Sequence, residues 1–142
     1  MNPEFKYYIV EALPRIFCGI IFLFQGYDKL FKVKISGVIE TFEIEAMPRK
    51  VPNFLIVFMA VYTSLVEFLG GLLLIVGLYK NVVLTLFGLD LIFVAIAFSY
   101  MNPVWDMKHV YPRLILIILL FAMPNDWNYF SLDHLIFNLR MR

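Results

Sequence analysis

Residues 54–78 read FLIVFMAVYTSLVEFLGGLLLIVGL, and this stretch decides the fold of the chain. Glu67 is its only charged residue. A helix needs about 20 mostly apolar residues to cross a hydrocarbon core of roughly 30 Å. Pro52 and Asn53 come just before the stretch and Gly77 lies near its end, where helices commonly begin and stop. The stretch therefore predicts a membrane-spanning helix.

Three more apolar stretches accompany it, at residues 13–31, 82–101 and 111–124. Hydrophobic residues make up 62% of the 142-residue chain and charged residues 16%, against about 25% charged in soluble proteins. The predicted fold class is all-α: a polytopic membrane protein of one domain, residues 1–142, with an antiparallel four-helix transmembrane bundle. The last stretch is short for a span, so a tilted or re-entrant segment stays open there.

The connections between the predicted spans differ in length. Residues 32–52 are rich in charge, and the apolar residues within them predict a short amphipathic helix on the membrane surface between the first two spans. The turn at Tyr79-Lys80-Asn81 is tight, so the second and third spans are predicted to be antiparallel neighbours.

Charge and cysteine content exclude several functions. With 12 basic and 11 acidic residues the net charge is +1, which gives no basic surplus for binding nucleic acid. A single cysteine, Cys18, cannot supply an intramolecular disulfide, a dithiol or a thiolate metal cluster. His109 and His134 are far apart in sequence, so no metal site and no intrinsic cofactor are predicted.

Ionisable and polar residues within the predicted spans are the candidate site. A charge near the bilayer centre costs at least about 2.5 kcal/mol on insertion scales, so it normally faces a partner or a cavity. At a rise of about 1.5 Å per residue, four such residues reach similar depths on three helices. They are predicted to form a ligand-binding site: Arg15, Gln25, Glu67 and Asp90.

A second polar cluster is predicted near the opposite membrane face. It contains Asp28, Lys29, Asp106, His109 and Arg113. For Asp28 and Lys29, a plain ion pair at the interface is the simpler interpretation. For the first cluster two interpretations stay open: a Glu67–Arg15 pair that only orients the helices, or the lining of a ligand or proton site.

Two motifs carry a resemblance to a known family. The first span contains the pattern Arg15-x3-Gly19-x6-Gly26-x2-Lys29-Leu30. The second contains Glu67-Phe68-Leu69-Gly70-Gly71-Leu72-x4-Gly77-Leu78. In this order, on a chain of this size, the two motifs resemble those of the DoxX proteins, a family of small integral membrane proteins. Asp90 is not part of the pattern, and the position of Gln25 is often histidine in the family.

The resemblance implies a four-helix protein of the inner membrane with both termini in the cytoplasm. The distribution of Lys and Arg alone leans weakly toward the opposite orientation, and we follow the family. Some DoxX relatives resemble the membrane subunit of thiosulfate:quinone oxidoreductases, and others are associated with membrane-bound oxidoreductase assemblies. A quinone is therefore the ligand that the resemblance implies, with Arg15, Gln25 and Glu67 as hydrogen-bond partners.

Three functions stay open at this point. The chain is a membrane subunit of a quinone-linked redox assembly, a structural or anchoring subunit of a larger membrane complex, or a small-solute or proton-coupled transporter. The expected partners are the lipid bilayer, other subunits of a membrane complex, or further copies of the chain.

Overall fold

A computed structural model describes residues 3–46, 50–101, 108 and 110–140. This part of the chain forms helices and contains no strand. In chain order the elements are α1 (Pro3–Tyr27), a π-helical turn (Asp28–Lys32), α2 (Lys34–Ala46), α3 (Asn53–Val76), α4 (Lys80–Met101), α5 (Tyr111–Ala122), a 3-10 turn (Asn125–Trp127) and α6 (Leu132–Arg140).

Within the described residues, three helical segments are long and apolar enough to cross a membrane: Glu4–Lys32, Asn53–Val76 and Lys80–Tyr100. They correspond to the first three predicted spans. The fourth, α5, has 12 residues and so rises only about 18 Å, short of the roughly 30 Å core. Met123 ends it in an extended conformation, and Pro124 follows. An all-helical membrane architecture is confirmed in outline, whereas a bundle of four full spans is not.

Glycines bring α1 and α3 into close contact. A Cβ atom on Gly26 would collide with the backbone nitrogen of Phe68, and one on Gly19 would lie 2.8 Å from the side chain of Ile75. The residue numbers at these contacts increase along α1 while those of their partners decrease along α3, so the two helices are antiparallel. Small residues at such contacts allow backbones to approach closely within membranes.

The turn between α3 and α4 confirms the predicted hairpin. Gly77 adopts the left-handed conformation, with φ +70°, and its N–H donates to the carbonyl groups of Leu73 and Leu74. Only two residues, Leu78 and Tyr79, then remain before α4 begins. The predicted short helix between the first two spans is present as α2, which packs against α3.

The core lies between α1, α3, α4 and α5. The rings of Phe22 and Phe87 stack at its centre, with centroids 3.8 Å apart. Ile117 and Leu120 of α5 are buried against the same cluster. The short helix therefore packs as part of the bundle.

Candidate functional site

An ion pair between α1 and α3 forms the centre of the candidate site. Lys29 Nζ lies 2.7 Å from Glu67 Oε2, and Glu67 is almost fully buried. Lys29 also donates to Thr63 Oγ1 at 3.4 Å, one turn before Glu67 on α3. Lys29 lies in the π-helical turn, where the N–H of Val33 donates to the carbonyl of Asp28 at 2.8 Å. Such turns insert an extra residue into a helix and are frequent at functional sites.

Asp90 on α4 is the unusual member of the site. It is 0% exposed, and neither of its carboxylate oxygens has a hydrogen-bond partner among the described residues. The buried Oε1 atom of Gln25 also lacks a donor within this part of the chain. A buried acceptor without a donor costs about 1–3 kcal/mol. Three oxygen atoms near the middle of the bundle are therefore ready to accept hydrogen bonds.

Electrostatic interactions join Asp90 to the ion pair. Its carboxylate interacts with the charges of Glu67, Lys29 and Arg113. The Arg113 guanidinium, at the start of α5, lies 5.9 Å from the ring centroid of Phe22. The central polar cluster thus holds two basic and two acidic side chains, and it comprises Gln25, Lys29, Thr63, Glu67, Asp90 and Arg113.

An apolar cavity of about 390 Å³ reaches this cluster. It lies between α2, the first half of α3 and the second half of α4, with Ile56, Met59 and Val94 among its lining residues. Thr63 belongs both to the lining and to the central polar cluster. Val94 lies one turn after Asp90, about 6 Å along the helix. The cavity is within the size range of small-molecule pockets, about 300–1,000 Å³.

Arg15 lies elsewhere, at the end of the bundle where α3 stops. Its Nε is 3.1 Å from both carboxylate oxygens of Glu11, one turn earlier on α1. One terminal nitrogen donates to the carbonyl groups of Leu74 and Ile75 at 2.9 and 2.8 Å, and the other donates to that of Phe130 at 2.6 Å. The last carbonyl groups of a helix lack donors within the helix, and here the Arg15 guanidinium donates hydrogen bonds to two of them.

Lys80 completes this second buried group, which we call the terminal clamp (Glu11, Arg15 and Lys80). Its Nζ lies 3.5 Å from Glu11 Oε1, and all three side chains are buried. The clamp joins α1, the end of α3, the start of α4 and the C-terminal segment. Its role in the molecule is to hold these elements together.

One family of known proteins matches the chain. The sequence model of the DoxX family matches residues 11–101, from the terminal clamp to the end of α4. The chain belongs to the DoxX family. The match takes in Lys29, Glu67 and Asp90, and it stops before α5. No curated protein and no solved structure matches the chain.

The DoxX chain brings together only part of each predicted cluster. Glu67 and Asp90 both lie in the central polar cluster. Arg15 does not, since eleven residues, roughly 16 Å along α1, separate it from Gly26, which faces Phe68 beside Glu67. The Glu67–Arg15 pairing considered from the sequence is therefore absent.

Two residues predicted near the opposite membrane face belong to the centre instead. Lys29 pairs with Glu67 and not with Asp28, whose carboxylate lies 2.7 Å from Lys32 Nζ in an exposed pair. Arg113 lies against Phe22 of the core, because α5 packs inside the bundle. Asp106 and His109, the other predicted members of that cluster, lie outside the described residues.

Sequence reasoning missed three participating residues. Glu11 precedes Arg15 by four residues, a spacing that brings side chains together on one helix face and was available as a signal. Thr63 precedes Glu67 by the same spacing. For the pairing of Lys80 with Glu11, the sequence contains no signal beyond the place of Lys80 in the turn. No metal-binding group of three or more His, Cys, Asp or Glu residues occurs in the described ranges.

Proposed function

We propose that this DoxX protein binds a membrane quinone, as a membrane subunit of a redox assembly. The head group would occupy the central polar cluster, and the apolar tail the adjoining cavity. The observation that carries the proposal is Asp90, a fully buried carboxylate whose two oxygens lack hydrogen-bond donors among the described residues. A ligand hydroxyl would supply the missing donor.

The surrounding chemistry suits such a head group. A quinone carbonyl accepts hydrogen bonds, and Lys29 is a donor beside Thr63, which lines the cavity. The hydroxyl groups of the reduced form donate, and Asp90 and Gln25 offer free acceptors. Ligand sites of this kind combine an apolar lining with a few placed polar groups.

The electrons must come from another component. A quinone becomes a quinol by taking up a pair of electrons and a pair of protons. Cys18 is buried in the core, and its lone thiol cannot cycle as a dithiol. The proposed role is therefore to bind and position the quinone while a partner subunit or a cofactor bound by that partner delivers electrons.

Location and topology form part of the same proposal. The rings of Tyr7 and Trp127 stack at 4.7 Å, which brings the first turns of α1 and the start of the C-terminal segment to one end of the bundle. This supports an arrangement with both ends of the chain on one side of the membrane. Following the family resemblance, we propose the cytoplasmic side of the inner membrane, with α5 completing the bundle as a half-depth helix.

Direct titration tests the proposal. The protein in lipid nanodiscs is titrated with a short-tailed quinone in oxidised and reduced forms. We expect saturable binding that Asp90→Asn weakens about tenfold, since a hydrogen bond to a charged group contributes about 1.5–3 kcal/mol. Asp126→Asn, which changes an exposed carboxylate at the terminal end, should bind like the wild type. Absence of saturable binding, or equal binding by the Asp90 variant, would overturn the proposal.

Proton-coupled transport is the second candidate, and one observation favours it. An acid without a partner in the middle of a span is the kind of group that carries protons in transporters. Reconstituted vesicles with an imposed pH gradient discriminate the two functions. Transport requires the wild type to dissipate the gradient and Asp90→Asn to lose this activity, whereas quinone binding alone leaves the gradient intact.

The anchoring role receives less support. The sequence features that favour it are the small size of the chain, the glycine-rich helix faces and the segment of residues 32–52, which could dock on a partner. Gly19, Gly26 and Gly71 all face the contact between α1 and α3, and Gly70 faces Phe87. These glycines are used within the chain.

A further inference from the structure

The last helix, α6, carries an apolar stripe that no described part of the chain covers. Four large apolar residues follow the spacing i, i+3, i+4, i+7, which places them on one face of a helix. Their exposed fractions run from 40% to 67%: Leu132, Leu135, Ile136 and Leu139. In an amphipathic helix, a stripe of this kind is the side that faces an apolar environment.

The opposite side of α6 is fixed to the protein by Asp133. Its carboxylate oxygens accept hydrogen bonds from the backbone N–H groups of Tyr79 and Lys80 at 3.0 and 3.1 Å. The N–H of Asp133 donates to the carbonyl of Gly77 at 3.1 Å. Asp133 therefore holds the start of α6 against the turn that joins α3 and α4.

Other polar residues face the same way as Asp133. An open pocket of about 530 Å³ lies between α6 and the first turn of α4. Asp133, His134, Phe137 and Asn138 line it from α6, and Asn81 lines it from α4. Successive residues of a helix turn by about 100°, so Asn138 lies almost opposite Ile136. The stripe consequently faces away from the rest of the protein.

The place of attachment indicates what the stripe contacts. Two candidate spans end at this turn, α3 at Val76 and α4 at Lys80, so the turn lies at a membrane face. Beside it Tyr79 and Val82 are also exposed, so the apolar surface of the spans extends up to the turn that holds α6. Aromatic residues favour the headgroup region, and Tyr129 just before α6 stacks on Tyr8 of α1.

We propose that α6 is an in-plane membrane helix. Its apolar stripe is inserted among the acyl chains just below the lipid headgroups, and its polar face is held by Asp133 to the α3–α4 turn. The partner is the bilayer itself. Helices that lie in the interface plane have this combination of a well-formed apolar face and a polar face. This inference is independent of the quinone proposal, since it involves neither the cavity nor the central polar cluster.

Spin-label accessibility tests the proposal. The full chain carries Cys18→Ala, so that one introduced cysteine takes the label. The labelled protein is placed in nanodiscs of phosphatidylcholine and phosphatidylglycerol in equal parts. The matched variants are Ile136→Cys on the stripe and Asn138→Cys on the opposite face, with Leu139→Cys as a second stripe position. Collision with oxygen reports the lipid phase, and collision with a water-soluble nickel complex reports the aqueous phase.

The expected result is a ratio of oxygen to nickel accessibility several-fold higher at positions 136 and 139 than at 138. Equal and high nickel accessibility at all three positions would place α6 in water and overturn the proposal. Shielding of 136 and 139 from both reagents would also overturn it, because a protein surface, such as a second copy of the chain, would then cover the stripe.

Discussion

Lys29 supplies the positive charge that lies against Glu67 in the interior of the bundle. Removing one partner of a buried ion pair leaves an uncompensated charge, at a cost of about 3–5 kcal/mol. We therefore expect Lys29→Met to lower the free energy of unfolding by about 3 kcal/mol or more, measured by denaturation with dodecyl sulfate in mixed micelles.

The exposed pair of Lys32 with Asp28 provides the matched control, because its two atoms are also 2.7 Å apart. Solvent screens such a pair, so Lys32→Met should leave the unfolding midpoint nearly unchanged. The double variant Lys29→Met/Glu67→Gln should recover part of the lost stability, since no buried charge then remains alone. Equal loss in the Lys29 and Lys32 variants would contradict this account of the ion pair.

Asp90 should determine which redox form of a quinone binds better. Its carboxylate presents free acceptors, which suit the hydroxyl donors of the reduced form. Asn at this position keeps the shape and replaces one acceptor by a donor. We expect Asp90→Asn to lower the ratio of reduced-form to oxidised-form affinity about tenfold, by titration of both forms under anaerobic conditions. An unchanged ratio would show that the ligand does not contact Asp90.

Residue types alone could identify Glu67 and Asp90, because a charge within an apolar run is visible in the sequence. The partner of Glu67 could not be identified in this way. Lys29 reaches it from a π-helical turn, and a local change of helical register leaves no clear trace in hydrophobic periodicity. The place of Arg15 was predicted wrongly for a related reason. Its side chain donates to backbone carbonyl groups of α3, and every sequence has such groups, so these contacts leave no signal in the residue types.

At the scale of helices, the contact of α1 with α3 depends on Gly26. A methyl group there would meet the backbone of Phe68, which cannot rotate away as a side chain can. Gly26→Ala should destabilise the protein by about 1–3 kcal/mol through overpacking. Gly88→Ala is the control, because nothing lies within 4 Å of a Cβ at that position. Alanine also favours helices over glycine, so this variant should be neutral or slightly more stable.

Both glycine variants can be compared in the same unfolding assay with dodecyl sulfate. We expect Gly26→Ala to lower the free energy of unfolding more than Gly88→Ala does. A similar loss of stability at positions 26 and 88 would indicate that glycine is needed for backbone flexibility at both positions, and not for helix contact at one.

The terminal clamp should control the order of the C-terminal segment. Arg15 donates to the carbonyl of Phe130, just before α6, and to the end of α3. Arg15→Met should increase amide hydrogen exchange in residues 128–139 about tenfold, since hydrogen bonds from a charged donor are lost. Lys6→Met, which removes an exposed charge from the same helix, should leave exchange unchanged. Equal exchange in both variants would contradict the assignment.

Hydrophobic runs predicted the three long helices and the hairpin between α3 and α4, because length and apolar composition decide both. They did not determine whether α5 spans the membrane. Its apolar stretch is followed by Pro124, and only packing against the core decides how deep so short a helix sits. The helical form of residues 132–140 was not predicted either, because nine residues give a weak periodic signal.

For the whole molecule, we propose that the apolar cavity and the central polar cluster form one ligand site. Thr63 belongs to both, and Asp90 lies one turn from the cavity lining. The terminal clamp and α6 lie at the other end and hold the helices in this arrangement. We therefore propose that one end of the molecule is structural and that the ligand binds towards the other.

Photolabelling with a quinone that carries an azide on its ring shows where the ligand binds. The protein in nanodiscs is irradiated, and labelled peptides are identified by mass spectrometry. We expect saturable labelling of the segments around Thr63 and Asp90, which an unlabelled quinone suppresses. Labelling that is not saturable, or that falls only on the lipid-facing surface of the helices, would contradict it.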